Sequence, residues 1–175
     1  VVDEAVSGVD IVVHLAATNI NRSVAYPGEA LHVNMIGTNN VFQAAIEHDV
    51  EKVLFASSAS VYGDQGLPMH EDDKPQPQTP YGISKLAGEY LLDHYDREED
   101  LDYVAYRFFN VYGPGQNTDA YYTSVINVFI KRLARGESPI IHGSGEQSMD
   151  FVHVDDIALA LQKGIETEET NTLYN

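Results

Sequence analysis

Apolar and polar residues form alternating blocks along this chain, and the blocks predict strands followed by helices. Short apolar runs predict buried strands at residues 10–17, 52–57, 103–108 and 139–142. Helical spacing of apolar residues predicts helices at residues 29–48, 81–98, 123–135 and 154–165. Strands that alternate with helices favour an α/β fold, a parallel sheet with helices on both faces.

Turn chemistry predicts the connections between these elements. The segment that holds Asn19, Asn21 and Pro27 is polar and predicts a loop, and the proline-spaced residues 68–80 predict another. Thr79 followed by Pro80 is typical of a helix start, with threonine as the cap and proline at the first helical position.

Tyr81 and Lys85 lie one turn apart on a predicted helix and therefore share a face. A lysine ammonium beside a tyrosine favours the phenolate and lowers the tyrosine pKa from about 10. A hydroxyl from Ser58 would then hold the substrate oxygen whose proton the tyrosine takes or returns. This is acid/base equipment for oxidising an alcohol or reducing a ketone, and such chemistry needs a hydride carrier.

The rest of that helix predicts which side packs. An apolar stripe recurs at helical spacing: Ile83, Leu86, Ala87, Tyr90, Leu91 and His94. We expect this stripe to pack, with Tyr81, Lys85, Gly88 and Leu92 on the opposite face. A Tyr-x-x-x-Lys spacing is common, so an exposed pair without function is the alternative interpretation.

The predicted strands end in small and polar residues. The ends read His14 to Ala17, Ser57-Ser58 and Phe109-Asn110. Ligands of parallel sheets bind at the carboxyl ends of strands. Small residues there let a flat cofactor approach the backbone, while serine and asparagine supply hydrogen bonds. The clustering of such residues indicates an active site at this edge.

Composition narrows the class of protein. The 175 residues are 43% apolar, which suits a folded domain rather than a disordered tail. The net charge of −17 argues against nucleic acid or anionic membranes as partners. No apolar run is long enough for a membrane span, and the sequence has no cysteine, so we expect a cytoplasmic protein without disulfides.

The remaining polar clusters predict structure rather than a metal site. The acidic runs at residues 71–73, 96–100 and 166–169 are typical of a solvated surface. His14 is interpreted as a packing or hydrogen-bonding residue. Asp155 or Asp156 is expected to cap the following helix. Tyr121 and Tyr122 would either edge a ligand pocket or be exposed loop aromatics.

Six motifs in order along the chain match one family: HLAA at 14–17, NMIGTNN at 34–40, SSASVYG at 57–63, PYGISK at 80–85, RFFNVYGPG at 107–115 and MDFVHVDDIA at 149–158. The chain thereby resembles the extended short-chain dehydrogenase/reductase family, in its nucleotide-sugar epimerase and dehydratase branch, and is similar to UDP-glucose 4-epimerases. The resemblance implies a Rossmann-like fold over residues 1–175 as one α/β domain. Residues 114–150 would contribute to a substrate-binding region.

The resemblance also implies roles for individual residues. Ser58, Tyr81 and Lys85 would be catalytic, and Ser58, Tyr81 and Asn110 would touch the substrate. NAD would be the cofactor, and its expected contacts are Leu15, Ala16, Ala17, Asn34, Ser57, Tyr81, Lys85 and Phe109. No metal is expected.

Two departures from the family pattern are visible. The Gly-rich turn that holds the pyrophosphate is absent, so we expect that the chain lacks the N-terminal part of the family fold as well as its C-terminus. The residue that distinguishes NAD from NADP would lie in the absent part. Met149 stands where the family often has an arginine that faces the nucleotide diphosphate.

The residues after Ser58 favour one reaction of the branch. Dehydratases and decarboxylases of the branch carry acids directly after the catalytic serine or threonine, whereas this chain has Ala59 and Ser60. We therefore expect 4-epimerisation of a UDP- or dTDP-sugar through a transient 4-keto sugar. A dehydratase, dehydrogenase or reductase of the same family, or a non-catalytic fragment, are the alternatives.

Apolar residues left over on two helices predict self-association. Phe42 and Ile46 on the first helix, and Tyr90 and Tyr95 on the second, lie outside one narrow stripe. The family commonly dimerises through these two helices as a four-helix bundle. We expect a homodimer.

Overall fold

The computed structural model describes residues 1–116 and 125–175, and it divides into two compact units. The first unit consists of Val1–Phe108 and Ala160–Asn175, and the second of Phe109–Leu159. Tyr121 and Tyr122 lie outside the described residues, so neither alternative for them, a pocket edge or an exposed loop, is tested.

A parallel sheet forms the centre of the first unit. The strands of the chain are β1 Ile11–His14, β2 Lys52–Ser58, β3 Tyr103–Phe108, β4 Asn110–Tyr112, β5 Phe151–His153 and β6 Thr172–Tyr174. Four of them make the sheet in the order β1-β2-β3-β6, and all its neighbours run parallel. Strand β2 is buried along its whole length, as its continuous apolar run predicts. The predicted parallel α/β fold is confirmed, although β6 was not expected.

The helices are α1 Val2–Val6, α2 Ile20–Ala25, α3 Pro27–Leu31, α4 Gly37–Glu47, α5 Pro80–Glu99, α6 Val125–Ala134 and α7 Val154–Glu166. A π-helical turn, His32–Ile36, joins α3 to α4, so the helix predicted at 29–48 is present with one widened turn. A single 3₁₀ turn, Ala59–Val61, follows β2. In the described part of the chain, no helix is both long and apolar enough to cross a membrane.

Two local predictions are wrong. The expected loop around Asn19 contains α2, because the Asn19 side chain accepts a hydrogen bond from the Arg22 N–H at 3.0 Å and caps that helix. Residues 139–142 do not form the expected strand. Ile140 and Ile141 are exposed, and neither pairs with any strand that the structure describes.

The sequence predicts a capping residue for two helices, α5 and α7, and only the cap predicted for α5 is present. The Thr79 hydroxyl accepts a hydrogen bond from the Gly82 N–H at 3.1 Å, which confirms the predicted cap of α5. Asp155 and Asp156 lie inside the first turn of α7 and do not precede it. The ring of His153 accepts from the Asp155 N–H at 3.3 Å instead, so the aspartate cap was wrong.

Helix α5 packs on the sheet through the face opposite the predicted one. The face toward the sheet carries small and polar residues together with one leucine: Gly82, Ser84, Lys85, Gly88, Glu89 and Leu92. Ile83 and Tyr90 of the apolar stripe are 47% and 62% exposed. A Cβ on Gly88 would lie 2.5 Å from Cζ of Phe55 in β2. The helix therefore approaches the strand too closely for a larger side chain, and this reverses the expected orientation.

The helix formed by α3, the π turn and α4 shows a similar change. Phe42 is fully buried and packs edge-on against Phe55, with ring centroids 5.6 Å apart, so it belongs to the core. Val33 and Ile36 in the π-helical turn are exposed. The π-helical turn rotates the residues that follow it, and this shifts which side chains face inward.

The second unit pairs β4 with β5 in parallel. Helix α6 precedes a turn at Gly136, whose φ of +71° is a left-handed conformation that glycine adopts without strain. The predicted stop of this helix at Gly136 is thereby confirmed.

The close approach at Gly88 generates a prediction about stability. Replacing Gly88 with alanine should lower the free energy of unfolding by about 1–3 kcal/mol, because the new methyl overlaps the buried Phe55 ring. Gly37→Ala is the matched control, since the methyl added there would meet nothing within 4 Å. Urea denaturation of the full-length protein measures both variants. Equal stability of Gly88→Ala and the wild type would contradict the described packing.

Candidate active site

Lys85 lies beneath Tyr81 at the start of α5 and is bound to the sheet. Its ammonium donates a hydrogen bond to the Ala56 carbonyl at 2.6 Å, and the residue is only 4% exposed. The same nitrogen lies 5.0 Å from the Phe55 ring centroid and 5.7 Å from that of Tyr81. The structure therefore brings the predicted Tyr–Lys pair together and joins it to strand β2.

Burial changes the acidity of this lysine. Removal from water lowers the pKa of Lys85 from 10.5 to about 8, because the charged form loses hydration. A lysine with this pKa exchanges its proton close to neutral pH. It can therefore both polarise Tyr81 and respond to the protonation of its neighbours.

Ser58 ends β2 and begins the 3₁₀ turn. Its hydroxyl accepts from the Ser60 N–H at 3.2 Å and donates to the Ser60 hydroxyl at 3.1 Å. A Cβ on Gly82 would lie 2.5 Å from the Ser60 carbonyl oxygen. The turn after Ser58 thus packs directly against the first turn of α5, which carries Tyr81.

Asn34 connects the loop after β1 to the same helix start. Its side chain accepts from the Thr18 N–H at 2.7 Å and donates to the Thr18 carbonyl at 3.0 Å and the Ser84 hydroxyl at 3.2 Å. The Ser84 hydroxyl donates in turn to the Tyr81 carbonyl at 2.7 Å. Asn34 lies in the π-helical turn, a feature frequent at functional sites. Sequence reasoning did not find Thr18 or Ser84.

His14 is a buried, hydrogen-bonded residue at the end of β1. Its Nε2 lies 2.9 Å from the Thr38 hydroxyl, and its ring stacks on Phe55 with centroids 5.8 Å apart. Burial, and secondarily the charge of Lys85, lower the pKa of His14 from 6.5 to about 4. The ring is therefore neutral at physiological pH, as expected of a packing histidine.

The other residues expected at the cofactor differ in accessibility. Leu15, Ala16 and Ala17 follow β1 and are exposed. Ser57 is buried, and its hydroxyl donates a short hydrogen bond to the Glu89 carboxylate. The side chains after β1 are therefore accessible to a ligand, whereas the Ser57 hydroxyl is hydrogen-bonded inside the protein.

A buried ion pair that the sequence analysis did not identify lies below this site. Arg107 binds Glu89 through two hydrogen bonds, Nε to Oε1 at 3.0 Å and Nη2 to Oε2 at 2.8 Å. Its Nη1 donates to the Tyr62 hydroxyl at 2.8 Å, and the Tyr62 hydroxyl donates to the Asn175 side chain at 2.6 Å. A glutamate on the sheet-facing side of α5 and an arginine inside an apolar strand were the available signals.

The second unit holds the remaining candidate residues. Phe109 precedes β4, and Asn110 donates to the Asp150 carbonyl through its side chain at 2.8 Å and its backbone at 3.2 Å. This unit also contains a pocket of about 400 Å³, lined by Val125, Phe129, Ile140, Ile141, His142, Gly145, Gln147, Met149 and Phe151. No lysine or arginine is among those lining residues.

Among residues 1–116 and 125–175, no group of three histidine, aspartate or glutamate side chains is arranged to hold a metal ion. The Asp155 carboxylate also lies 3.4 Å from the His153 ring nitrogen that accepts from the Asp155 N–H.

Comparisons with known proteins find one family. The model of the NAD dependent epimerase/dehydratase family matches residues 1–175. A UDP-glucuronate 4-epimerase from Thermodesulfobacterium geofontis is 37% identical over 153 residues, which are 86% of this chain and 46% of that protein.

Two solved structures give the same result. A UDP-N-acetylglucosamine 4-epimerase from Methanobrevibacter ruminantium M1, in complex with UDP-N-acetylmuramic acid, superimposes with a TM-score of 0.94 at 36% identity and covers 99% of this chain and 57% of that one. A dTDP-glucose 4,6-dehydratase from Streptomyces venezuelae, with NAD and TYD bound, gives 0.87 at 27% identity, covering 99% and 53%. The chain spans about half the length of these relatives.

The lowered pKa of His14 generates a prediction about pH. Between about pH 4 and 6.5 the unfolded chain binds a proton at this position and the folded chain does not. The free energy of unfolding should therefore fall as the pH falls through that window, by up to about 1.4 kcal/mol per pH unit.

Denaturation curves across that window test this contribution. His14→Gln should flatten the acid slope, whereas His70→Gln, at an exposed position, should leave it unchanged. An unchanged slope in His14→Gln would show that His14 titrates alike in both states.

Proposed function

Because the chain belongs to the NAD-dependent epimerase/dehydratase family, we propose that the protein is an NAD-dependent 4-epimerase of a nucleotide sugar. One observation carries this proposal: the buried Lys85 ammonium, bonded to the Ala56 carbonyl, lies beside the Tyr81 ring. A tyrosine next to a buried cation is suited to take a proton from a sugar hydroxyl and to give it back.

The residues at the end of β1 fit a dinucleotide. Leu15, Ala16 and Ala17 are exposed, and the two alanines place no large side chain between a flat ligand and the backbone. The Lys85 ammonium is suited to donate a hydrogen bond to a ribose hydroxyl of the dinucleotide. NAD, when bound, supplies an acceptor and a donor of hydride. We assign Asn34 and Ser57 indirect roles, because both side chains are engaged within the protein.

Proton movement is assigned to Tyr81. When the sugar C4–H leaves as hydride, the C4 hydroxyl loses its proton to the Tyr81 phenolate and a 4-keto sugar forms. The Ser58 hydroxyl holds that oxygen, and Lys85 stabilises the phenolate. Return of hydride to the opposite face of C4, with the proton from Tyr81, completes the inversion without net oxidation.

The turn after Ser58 supports epimerisation over dehydration. Loss of water from the sugar needs an acid or base at a neighbouring carbon, and Ala59 and Ser60 have no such group. In the acidic run at residues 71–73, the Glu71 carboxylate is engaged elsewhere, since it accepts from the Asn175 N–H at 2.8 Å. A dehydratase is the second candidate, because relatives of that activity match the chain equally along its length.

The second unit is assigned to the nucleotide part of the substrate. Asn110 and the pocket that includes Met149 belong to it. All but one of the residues that line the pocket lie within residues 114–150, the segment expected to contribute to substrate binding. The relatives described above act on or bind UDP-linked sugars as well as a dTDP-linked one. We therefore propose a UDP- or dTDP-sugar as the substrate class.

We propose a homodimer whose interface shares only Tyr90 with the residues that the sequence predicted. Phe42 is buried, and Ile46 and Tyr95 are partly buried against the same core, so these three residues take no part. Val33 and Ile36 on one helix, and Ile83 and Tyr90 on α5, are exposed. The two helices contact each other, since Asn34 binds Ser84. Exposed apolar residues at helical spacing on adjacent helices suit pairing with a second copy by a two-fold axis.

Tyr81→Phe should lower the turnover of the full-length protein by about a hundredfold or more, because it removes the acid/base hydroxyl and keeps the ring. Nuclear magnetic resonance of UDP-glucose, UDP-glucuronate and UDP-N-acetylglucosamine with NAD follows the appearance of the 4-epimer. Tyr26→Phe removes an exposed tyrosine hydroxyl outside the site and should leave the rate unchanged. Near-normal turnover of Tyr81→Phe would refute the assignment.

Tyr90→Glu should convert the full-length protein from a dimer to a monomer, because it places a charge in the exposed apolar surface of α5. Size-exclusion chromatography with light scattering at micromolar concentration measures the mass. Val24→Glu, at an exposed apolar residue of α2, is the matched control and should remain dimeric. A monomeric wild type would contradict the proposed interface.

A further inference from the structure

Glu89 and Arg107 are charged residues inside the first unit, at 8% and 4% exposure. The guanidinium and the carboxylate form two parallel hydrogen bonds, the geometry of the strongest ion pairs. Arg107 also stacks on the Tyr62 ring, with its guanidinium carbon 4.7 Å from the centroid. Removing two charges from water is costly, and well-packed apolar residues often replace such a pair without loss of stability. A contribution to stability is therefore a weak explanation for the presence of this buried ion pair.

The position of the pair relative to the candidate site gives a better reason. Lys85 and Glu89 lie one turn apart on α5, and they bind consecutive residues of β2. Lys85 donates to the Ala56 carbonyl, and Glu89 accepts from the Ser57 hydroxyl. Ser58 is the next residue of the strand. Helix α5, which carries Tyr81, is thus hydrogen-bonded to the two residues of β2 that directly precede Ser58.

Strand β3 holds the other side of the pair. Arg107 is the register partner of Ser57 in the parallel ladder. Its third nitrogen binds the Tyr62 hydroxyl and the Glu71 carbonyl, at 2.8 and 3.2 Å. The carboxylate and the guanidinium therefore connect α5, β2, β3 and the segment that follows the 3₁₀ turn.

We propose that Glu89 and Arg107 are a positioning pair, which fixes Ser58 relative to Tyr81 and Lys85 and balances the charge beside Lys85. The proposal rests on the proposed epimerase function for its kinetic consequences. The bond between Ser57 and Glu89 holds the strand end against the helix. A displacement of about 1 Å between catalytic groups is enough to cost up to a hundredfold in rate.

The charge balance around Lys85 involves groups from several elements. His14 of β1 is close enough to feel the Lys85 charge, and the Tyr81 ring lies 5.7 Å from its nitrogen. Glu89 follows Lys85 by one turn on α5 and is paired with Arg107 of β3. His14 is neutral near physiological pH, so Glu89 and Arg107 are the other charged members of this set. Neutralising Glu89 while Arg107 remains would leave a second buried cation near Lys85, and this would make its proton easier to remove.

Ser57→Ala tests the positioning role with little risk to folding. We expect kcat of the full-length protein to fall at least about tenfold while KM for the nucleotide sugar stays within about twofold. Ser23→Ala is the matched control, because Ser23 is an equally buried serine that donates to the Ile20 carbonyl. It should leave kcat unchanged. A Ser57→Ala protein with wild-type kcat would overturn the proposal.

Glu89→Gln tests the charge role without depending on turnover. The titration of Lys85 is followed by nuclear magnetic resonance of lysines labelled at Cε, and Lys85→Met identifies the signal. We expect the Lys85 pKa, about 8 in the wild type, to fall by roughly half a unit or more in Glu89→Gln. Glu98→Gln, at an exposed carboxylate near the end of the same helix, should not shift it. An unchanged Lys85 titration in a folded Glu89→Gln protein would overturn the charge role.

The two measurements separate this proposal from the proposed function. If the wild type converts no nucleotide sugar, the epimerase assignment fails and the Lys85 titration still decides the role of the pair. If Glu89→Gln does not fold, Ser57→Ala decides it through the split between kcat and KM. Arg107→Lys keeps the positive charge but cannot form the two parallel hydrogen bonds. A folded Arg107→Lys protein with a lowered kcat would therefore support positioning over bulk charge.

Discussion

Helix α5 lies so close to strand β2 that, apart from Leu92, its inner face carries only small or polar side chains. Gly88 meets the Phe55 ring, and Gly82 meets the Ser60 carbonyl. Polar groups on such a face must find partners, because water cannot reach them. Lys85 binds the Ala56 carbonyl, and Glu89 binds Ser57 and Arg107. The same close contact therefore buries the lysine, lowers its pKa and sets Tyr81 beside it.

This contact also explains where sequence reasoning succeeded and where it failed. The spacing of Tyr81 and Lys85 on one helix predicted that the two side chains lie together, and they do. The orientation of α5 was predicted wrongly, because hydrophobic periodicity assigns the apolar stripe to the core. Ile83 and Tyr90 lie outward instead, and glycine and charged residues face the sheet. A buried Arg107 and Glu89 cannot be paired from one sequence, since eighteen positions separate them and no local pattern joins them.

Among the individual strands, the longer ones were predicted and the shortest ones were missed. Strands with long apolar runs, such as β2 and β3, were predicted nearly residue by residue. The short strands β4, β5 and β6 each have three residues, too few to produce a period. The apolar pair Ile140 and Ile141 resembled a strand but lines a pocket of the second unit. Side-chain pattern alone does not distinguish a pocket wall from a strand.

Family membership and reaction rest on different observations. The family follows from the match along the whole chain, whereas epimerisation rests on the absence of an acid after Ser58 and on the engaged Glu71. The pocket with Met149 has no lysine or arginine among its lining residues to pair with a diphosphate. The charge for that group would have to come from other residues of the protein.

The fate of the hydrogen on the sugar C4 tests the central claim most directly. The full-length protein is incubated with NAD and UDP-glucose, UDP-glucuronate or UDP-N-acetylglucosamine carrying deuterium at C4, and the products are analysed by nuclear magnetic resonance. Abstraction and return of one hydride at one carbon predicts a 4-epimer that keeps its deuterium at C4, with no loss of water. Deuterium leaving C4, or a dehydrated product, would contradict the account.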